Sequence, residues 1–474
     1  MKQVKNNIKR VCVFLCLLFV LLAVYGGYSV AVNGNRWFTS ASNTFVRSKK
    51  KDVIPGKILD RNGEVLAYSD TENNRFYHRD ADTRRAMVHV VGDKQGNVNN
   101  GAESFMAGSL YGFQMSLLER FSCFFRGVQR TGDDVQLTLD SRLSAYASGL
   151  FPQGKAGAAV VMNYKTGEML MEISLPQYDP EQLTASVKND PQKPFYNRAV
   201  QGLYAPGSTF KIVTAVSALE NAADAATRDW QCNGLLQVGD RYVTDAGTDL
   251  ESGKVVSHGR LTLQRAFQVS CNNTFAQIAL NLGDQQLRKT AERFGFGDNF
   301  LFRDVVVENS SYPTQNRTER EIAWTGVGQS SLTASPLHMC MIGAAVANGG
   351  VMMEPYTVRR TVAFNGTLRT EASPRVYRTA MTAADANTLK MYMQQVVEAG
   401  TGTGARIAGI KVCGKTGSAE VDTQENANAW FVGFLDEEAH PYAIAVVVEN
   451  AGGGGSVAAP IARQVFQWML SNGY

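Results

Sequence analysis

A long uncharged apolar run near the N-terminus constrains the chain more than any other feature. Val11–Val32 holds no charged residue in 22 positions, and about 20 apolar residues in a helix suffice to cross the hydrocarbon core of a bilayer. Four cations precede the run and indicate an N-terminus on the cytoplasmic side: Lys2, Lys5, Lys9 and Arg10. We therefore expect a single transmembrane anchor, with the rest of the chain on the far side of the membrane.

Two observations bear on this topology. A basic cluster follows the run (Arg36, Arg47 and Lys49–Lys51), but most of it lies 15 or more residues away, near the limit of the range over which such charges act. A cleaved signal peptide with Ser29-Val30-Ala31 as its cleavage site is the alternative, and the anchor is favoured because the run is long for a signal peptide. Both interpretations export the residues that follow.

The overall composition is that of a folded protein. The 474 residues are 44% hydrophobic and 19% charged, with 47 basic and 43 acidic side chains, which excludes a disordered chain. A formal net charge of +4 over this length gives no reason to expect a nucleic-acid partner. The length suggests two or three domains with a large core.

The cysteines and histidines carry no recognised metal or disulfide signature. Two cysteines, Cys12 and Cys16, fall in the apolar run. Five more follow it, an odd number without a C-x-x-C pair: Cys123, Cys232, Cys271, Cys340 and Cys413. We expect these five to be small buried hydrophobic side chains. The five histidines show no HExxH or paired ligand spacing, so no metal site is predicted.

Changes of pattern divide the chain into four parts. Residues 1–10 form a short tail, 11–32 the anchor, 33–134 a basic stalk followed by a small mixed domain, and 135–474 a larger domain. The larger domain opens with a strand (Val135–Leu139) and a hairpin (Ala158–Met162 and Met169–Ile173), and it ends with three further strands: Ile410–Cys413, Ala429–Phe434 and Ala443–Val448. The predicted helices are Ser141–Leu150, Ser208–Asn221, one or two within Leu261–Leu282, Ala380–Ala399 and Val457–Leu470. This order predicts one sheet built from both ends of the domain and covered by helices.

A serine and a lysine three residues apart are the first candidate for chemistry. Ser208-Thr209-Phe210-Lys211 stands at a predicted helix start, where residues three apart share a face, so that the Lys211 amine can reach the Ser208 hydroxyl. Burial lowers the pKa of a lysine towards the neutral amine, which is a competent base for a serine nucleophile. A second copy, Ser48–Lys51, lies in the basic stalk without apolar surroundings and is interpreted as a chance match.

Two further motifs offer a proton relay and a carboxylate site. Ser270-Cys271-Asn272 supplies a second hydroxyl and an amide that can bind a peptide group, although by itself it also fits a helix cap. Lys415-Thr416-Gly417-Ser418 follows the predicted strand Ile410–Cys413, where a cation and a hydroxyl can hold a carboxylate. A copy of its first three residues, Lys165-Thr166-Gly167, is interpreted as a hairpin turn.

The order of the three motifs resembles a known family. Ser-x-x-Lys, then Ser-x-Asn about 60 residues later, then Lys-Thr-Gly about 145 residues further on, is the order found in penicillin-binding proteins and class A β-lactamases. Three other stretches resemble the pedestal and transpeptidase motifs of class B penicillin-binding proteins: Gly56–Ala67, Val135–Asp140 and Ser174–Pro180. The resemblance implies the serine transpeptidase (β-lactamase-like) α/β fold, an antiparallel sheet covered by helices, preceded by a small pedestal domain and one transmembrane helix.

The resemblance also implies an activity and a role for each motif residue. The family consists of peptidoglycan D,D-transpeptidases of the bacterial cytoplasmic membrane, which cross-link stem peptides ending in D-Ala-D-Ala through an acyl-serine and are acylated by β-lactam antibiotics. The implied catalytic residues are Ser208, Lys211, Ser270 and Lys415, and the implied substrate-binding residues are Asn272, Thr416, Gly417 and Ser418. No metal or other cofactor is implied. A membrane glycan polymerase of the SEDS family is the implied partner.

Related activities on the same fold stay open as alternatives. A β-lactamase shares the three motifs, but the Glu-x-x-Leu-Asn pattern with which class A enzymes hydrolyse the acyl-enzyme is not found in this sequence. A D,D-carboxypeptidase is harder to separate by motifs. The chain is also a candidate scaffold for a glycan polymerase, although intact motif residues argue against a silent site.

Overall fold

A computed structural model describes residues 2–38, 53–98, 100–113, 115–222, 224–313, 317–419 and 427–474. The Ser48–Lys51 copy of the first motif lies outside these residues. The described helices are α1 (Lys2–Phe38), α2 (Ala81–Ala86), α3 (Val88–Val91), α4 (Ala102–Phe105), α5 (Ala107–Leu110), α6 (Leu117–Arg126), α7 (Ser141–Ser148), α8 (Ala185–Lys188), α9 (Lys211–Asn221), α10 (Leu263–Gln268), α11 (Asn272–Arg293), α12 (Glu319–Gly326), α13 (Pro336–Ala347), α14 (Ala383–Ala399) and α15 (Ala458–Ser471). Short 3-10 turns cover Gly207–Phe210 and Thr403–Ala405.

The N-terminal helix fits a membrane anchor. α1 contains the whole of the predicted run Val11–Val32, and its Gln3–Ser29 part is long and apolar enough to cross a bilayer. Within the described ranges it is the one helix that meets these criteria, and none of its most apolar window is buried against the protein. A core helix would instead be covered by other elements.

A six-stranded sheet lies next along the chain and draws strands from both halves of it. The first four strands in sequence are β1 (Ile58–Leu59), β2 (Val65–Ser69), β3 (Arg75–Tyr77) and β4 (Asp134–Leu137), and the last two are β12 (Val358–Val362) and β13 (Leu368–Glu371). Their order in the sheet is β13-β12-β4-β1-β2-β3. The predicted domain boundary between residues 134 and 135 thus falls inside β4, a strand that pairs with β1 on one side and β12 on the other.

The Gly56–Ala67 stretch makes a turn that connects this sheet to the larger half of the chain. The Asp60 carboxylate accepts the backbone N–H groups of Asn62 (2.8 Å) and Glu64 (2.9 Å). Its other oxygen accepts the Ser141 hydroxyl (2.8 Å), and the Asn62 amide donates to Asp140 (2.9 Å). Since Asp140 also caps α7, the turn fixes the position of that helix.

A five-stranded antiparallel sheet forms the centre of the larger half. Its strands are β5 (Gly157–Asn163), β6 (Met169–Leu175), β15 (Val412–Ala419), β16 (Asn428–Leu435) and β17 (Tyr442–Val448). Their order in the sheet is β15-β16-β17-β5-β6. The sheet is therefore built from both ends of the domain, which confirms the predicted fold. The predicted hairpin turn at Lys165-Thr166-Gly167 lies between β5 and β6.

Helices cover both faces of this sheet. Along β5, alternate side chains enter two different cores: Ala158, Val160 and Met162 pack in the cluster that contains residues of α9 and α13, whereas Ala159 and Val161 pack with residues of α7 and α15. Because both faces are buried, the central strands are apolar at nearly every position instead of alternating with polar residues. The remaining strands are short: β7 (Trp230–Cys232), β8 (Leu235–Val238), β9 (Arg241–Thr244), β10 (Gly259–Leu261), β11 (Val351–Met353) and β14 (Val376–Thr379).

Two predicted elements differ from the structure where the motifs lie. The strand predicted at Ile410–Cys413 runs further, from Val412 to Ala419, so the Lys415–Ser418 motif lies within edge strand β15 and does not follow it. The helix predicted from Ser208 begins as a 3-10 turn and becomes α-helical only at Lys211. The prediction ended β15 too early because the motif consists of glycine and polar residues, whereas the partner strand β16 supplies the apolar packing.

Candidate active site

Ser208 lies in a turn that is held against the edge of the five-stranded sheet. Within the turn Gly207–Phe210, Gly207 has a φ of 54°, and a Cβ there would come within 3.0 Å of the Ser418 carbonyl oxygen. A glycine is needed for this conformation at this distance from β15. Ser208 is half-buried, whereas the two residues after it are buried, so the serine is the residue that the turn presents to the cleft beside β15.

Lys211 is fully buried at the start of α9 and is held by the second motif. Its Nζ donates to the Ser270 carbonyl oxygen (2.7 Å), to the Asn272 side-chain oxygen (2.7 Å) and, at 3.3 Å, to the Ser270 hydroxyl. Burial lowers the pKa of Lys211 to about 8. A sizeable fraction of the amine is therefore neutral near pH 7. No direct hydrogen bond joins Lys211 to the Ser208 hydroxyl, both of which the structure describes, although the spacing predicted that contact.

Lys415 approaches the same serine of the second motif from β15. It is fully buried, and its Nζ donates to the Ser270 hydroxyl (2.8 Å) and to the Thr416 carbonyl oxygen (2.9 Å). Burial, and then the neighbouring charge of Lys211, lower the pKa of Lys415 well below its usual value. The Ser270 hydroxyl thus lies between two amines that are costly to protonate together, an arrangement suited to passing a proton.

The connection between α10 and α11 positions the second motif. Ser270 has a left-handed φ of 60°, and the buried Cys271 caps α11 by accepting the N–H of Thr274 on its sulfur (3.3 Å). The Asn272 amide donates to the Thr244 carbonyl oxygen (2.9 Å). The motif is therefore a helix cap as well as a site element, and its cap residue is the cysteine between the two functional residues.

The third motif faces two glycine-rich loops. The Thr416 and Thr401 hydroxyls are hydrogen-bonded to each other (2.6 Å). Ser418 accepts the N–H of Gly454 on its hydroxyl (3.4 Å). Thr401 belongs to the glycine-rich segment 400–404, and Gly454 belongs to the glycine run 452–455. The structure places both loops beside β15.

These elements enclose a cleft of about 360 Å³. Its lining includes six of the eight predicted site residues, Ser208, Ser270, Asn272, Thr416, Gly417 and Ser418. The two lysines lie behind it and reach it through the Ser270 hydroxyl. Segments Thr244–Thr248 and Gly453–Gly455 complete the walls.

A cluster of four potential metal ligands lies directly behind the second motif. The ligand atoms of Cys232, Asp245, His258 and Cys271 lie within 4.8 Å of one another, close enough to hold one metal ion. Asp245 accepts the His258 imidazole N–H (3.1 Å), and its other carboxylate oxygen accepts the backbone N–H of Asn272. Two thiols, a carboxylate and an imidazole suit zinc. This cluster was not predicted, because its members are spread over residues 232–271 without a standard ligand spacing.

The structure confirms the prediction that the five cysteines after the anchor are buried. All five cysteines that follow the anchor are buried and none forms a disulfide. Burial raises the pKa of the Cys271 thiol, so it is a poor nucleophile as it stands.

Comparison with known proteins identifies the family. The family model of the penicillin-binding protein transpeptidase domain matches residues 157–467. Peptidoglycan D,D-transpeptidase PbpA of Mycolicibacterium smegmatis is 28% identical over an alignment of 498 positions, which covers 99% of each chain. Peptidoglycan D,D-transpeptidase MrdA of Acinetobacter baumannii is 30% identical over 380 residues, covering 72% of this chain and 54% of that protein.

Solved structures agree with this relationship. The imipenem acyl-enzyme complex of penicillin-binding protein A from M. tuberculosis is 26% identical with a TM-score of 0.80, over 89% of this chain and 100% of that one. The D,D-transpeptidase domain of a peptidoglycan glycosyltransferase from Eggerthella lenta is 30% identical with a TM-score of 0.77, over 89% and 99%. The chain therefore belongs to the penicillin-binding protein transpeptidase family and is a class B penicillin-binding protein, a serine-type D,D-transpeptidase.

Proposed function

We propose that this chain cross-links peptidoglycan stem peptides through an acyl-enzyme on Ser208, and that β-lactams acylate the same residue. One observation carries the assignment of residues: the Ser270 hydroxyl lies between the Lys211 and Lys415 amines in the cleft that holds Ser208. The relatives are named as peptidoglycan D,D-transpeptidases, which supports the substrate class.

Acylation uses the first two motifs. As the Ser208 oxygen bonds to the carbonyl carbon of the penultimate D-Ala, its proton passes to the neutral Lys211 amine. The C–N bond to the terminal D-Ala then breaks, and Ser270 passes a proton to the leaving amine. The backbone N–H groups of Ser208 and Ser418 stabilise the oxyanion.

Deacylation completes the cross-link. The amine of a second stem peptide attacks the acyl carbon, loses a proton to the same relay, and releases Ser208 with its hydroxyl restored. The net reaction exchanges one amide bond for another, so no cofactor or external energy source is needed.

The third motif binds the donor peptide. β15 is the edge strand of its sheet, and an extended peptide can add to such an edge by main-chain pairing. Asn272 holds the peptide backbone from the opposite wall, and Thr416, with Lys415 behind it, binds the terminal carboxylate. Gly417 and Ser418 leave room for the peptide along the strand.

The anchor places this reaction at a membrane surface. The four cations before the run support an N-terminus inside the bacterial cytoplasmic membrane and a catalytic domain outside it, where stem peptides are cross-linked. The division into a tail (1–10), an anchor (11–32), a stalk and pedestal (33–134) and a transpeptidase domain (135–474) belongs to the same proposal. So does a SEDS-family glycan polymerase as membrane partner.

A donor peptide ending in D-Ala-D-Ala, given with and without a labelled acceptor amine, tests the reaction. We expect D-Ala release coupled to incorporation of the acceptor, absent in Ser208→Ala and retained in Ser48→Ala, the matched change in the other Ser-x-x-Lys copy. Release of D-Ala that is unaffected by the acceptor would instead establish a D,D-carboxypeptidase. Steady hydrolysis of penicillin would establish a β-lactamase, and an unreactive but folded protein would favour the scaffold.

A further inference from the structure

Helix α6 (Leu117–Arg126) presents its apolar side away from the protein. Four of its large hydrophobic side chains are strongly exposed: Leu118 (82%), Phe121 (58%), Phe124 (78%) and Phe125 (82%). The first turn is a regular capping box between Ser116 and Glu119, and the helix ends at Gly127 with a left-handed φ of 61°. The segment is therefore a well-formed helix whose apolar face has no partner among the described residues.

The opposite side of α6 attaches it to the six-stranded sheet. Cys123 is buried, and Glu119 forms an ion pair with Arg369 of β13, which also contacts Asp133 (3.5 Å). A surface helix of a water-soluble domain buries its apolar stripe and exposes its charges. α6 instead exposes its four large apolar side chains, so its outer face is suited to an apolar environment.

The chain path places α6 beside the membrane anchor. Cα atoms of α1 come within 8 Å of those of α4 and α5, and α5 ends at Leu110, shortly before α6 begins. Where the described chain resumes after the anchor, the Ile54 N–H donates to the Arg130 carbonyl oxygen (2.9 Å) and Ile54 bridges to Thr131. Both ends of α6 are thus tied to segments adjoining the anchor.

The charges of this segment fit an anionic surface. From Leu117 to Arg130 the sequence holds three cations, Arg120, Arg126 and Arg130, and one acid, Glu119, which is neutralised by its ion pair. Aromatic and aliphatic side chains on one face with arginines at the margins are typical of helices that lie in the membrane interface.

We propose that α6 is a second membrane contact, which lies in the headgroup region with its four exposed apolar side chains inserted and so fixes the pedestal, and the active site above it, at a set orientation to the bilayer. The occupant of the apolar face is lipid. A single span such as α1 lets the pedestal rotate relative to the bilayer, and a second contact restricts that rotation.

A depth-resolved fluorescence experiment tests this on the full-length chain in pure lipid vesicles containing anionic lipid. In a Cys12→Ala/Cys16→Ala background, an environment-sensitive dye is attached at Phe124→Cys or, as the matched control, at Leu250→Cys, another exposed apolar position (54%) in the transpeptidase half. We expect blue-shifted emission and quenching by lipid-borne nitroxides for the α6 dye, and neither for the control. Fluorescent penicillin binding shows that each labelled protein is folded.

Charge reversal supplies the second arm. Arg120→Glu/Arg126→Glu should reduce the quenching at the α6 dye, and so should vesicles of purely zwitterionic lipid. A dye at Phe124→Cys that is as exposed to water as the control overturns the proposal. Shielding that appears only after a membrane protein partner or a second copy is added also overturns it, because the apolar face would then bind protein.

Discussion

The neutral Lys211 amine should set how fast the enzyme is acylated, and this predicts a specific pH dependence. Burial lowers the pKa of Lys211 from 10.5 to about 8. At pH 7 about 10% of the amine is then neutral, against about 0.03% for an unperturbed lysine, a gain of about 300-fold in the competent form. Acylation by a β-lactam should therefore rise about 10-fold from pH 6 to pH 7 and level off above about pH 9.

The matched perturbation is Lys211→Arg. Arginine keeps the positive charge and can still donate to Ser270, but it does not lose its proton in this range. Loss of a general base typically costs about 10²- to 10⁴-fold in rate, and the residual rate should no longer rise with pH. The second-order acylation rate constant, measured by stopped-flow with a chromogenic cephalosporin from pH 5.5 to 9.5, gives both results.

Two results would refute the reasoning. An acylation rate that is flat across this range would mean that Lys211 does not act as a base in its neutral form. A rising profile that Lys211→Arg leaves unchanged would assign the titration to another group, with Lys415 the first candidate. Circular dichroism at each pH separates these outcomes from unfolding.

Three further changes have predictable consequences. Burial raises the pKa of Glu172 from 4.5 to about 7. Because the unfolded chain ionises first, the native state loses about 3 kcal/mol of stability as pH rises through this window. Urea unfolding should show the stability of Glu172→Gln, relative to the wild type, rising by that amount from below pH 4.5 to pH 8. A Cβ in Gly454→Ala would lie 2.4 Å from the Gly417 carbonyl oxygen, whereas in Gly453→Ala it meets only a flexible side chain at 3.2 Å, so β-lactam acylation should fall in the first and persist in the second. Thr401→Val removes the hydrogen bond to Thr416, which should weaken β-lactam binding about 5-fold in titrations, with Thr401→Ser restoring it.

The sequence predicted the central sheet because its signals are local. Apolar runs mark β5, β6, β16 and β17, and each run can be recognised without information from the rest of the chain. β15 was predicted too short because Lys415, Gly417 and Ser418 are residue types with low strand propensity. Its strand conformation comes from pairing with β16, as in Lys415 opposite Val432, and such pairing is not visible in the segment itself.

The candidate residues were predicted by motif order, but their contacts were not. The spacing of Ser208 and Lys211 suggested a direct contact. Instead the 3-10 turn and the left-handed Ser270 turn Lys211 towards the second motif. Thr401 and the cluster around Asp245 were missed because the residues that they contact are distant in sequence and only the fold brings them together.

The most direct test of the account is to locate the β-lactam adduct. After incubation of the full-length protein with penicillin, intact mass spectrometry and peptide mapping should find one acyl group, on the peptide that contains Ser208. The adduct should be absent in Ser208→Ala and unchanged in Ser48→Ala. An adduct on any other residue, or one that survives in a folded Ser208→Ala protein, would contradict the assignment of Ser208 as the nucleophile and with it the mechanism built around Lys211, Ser270 and Lys415.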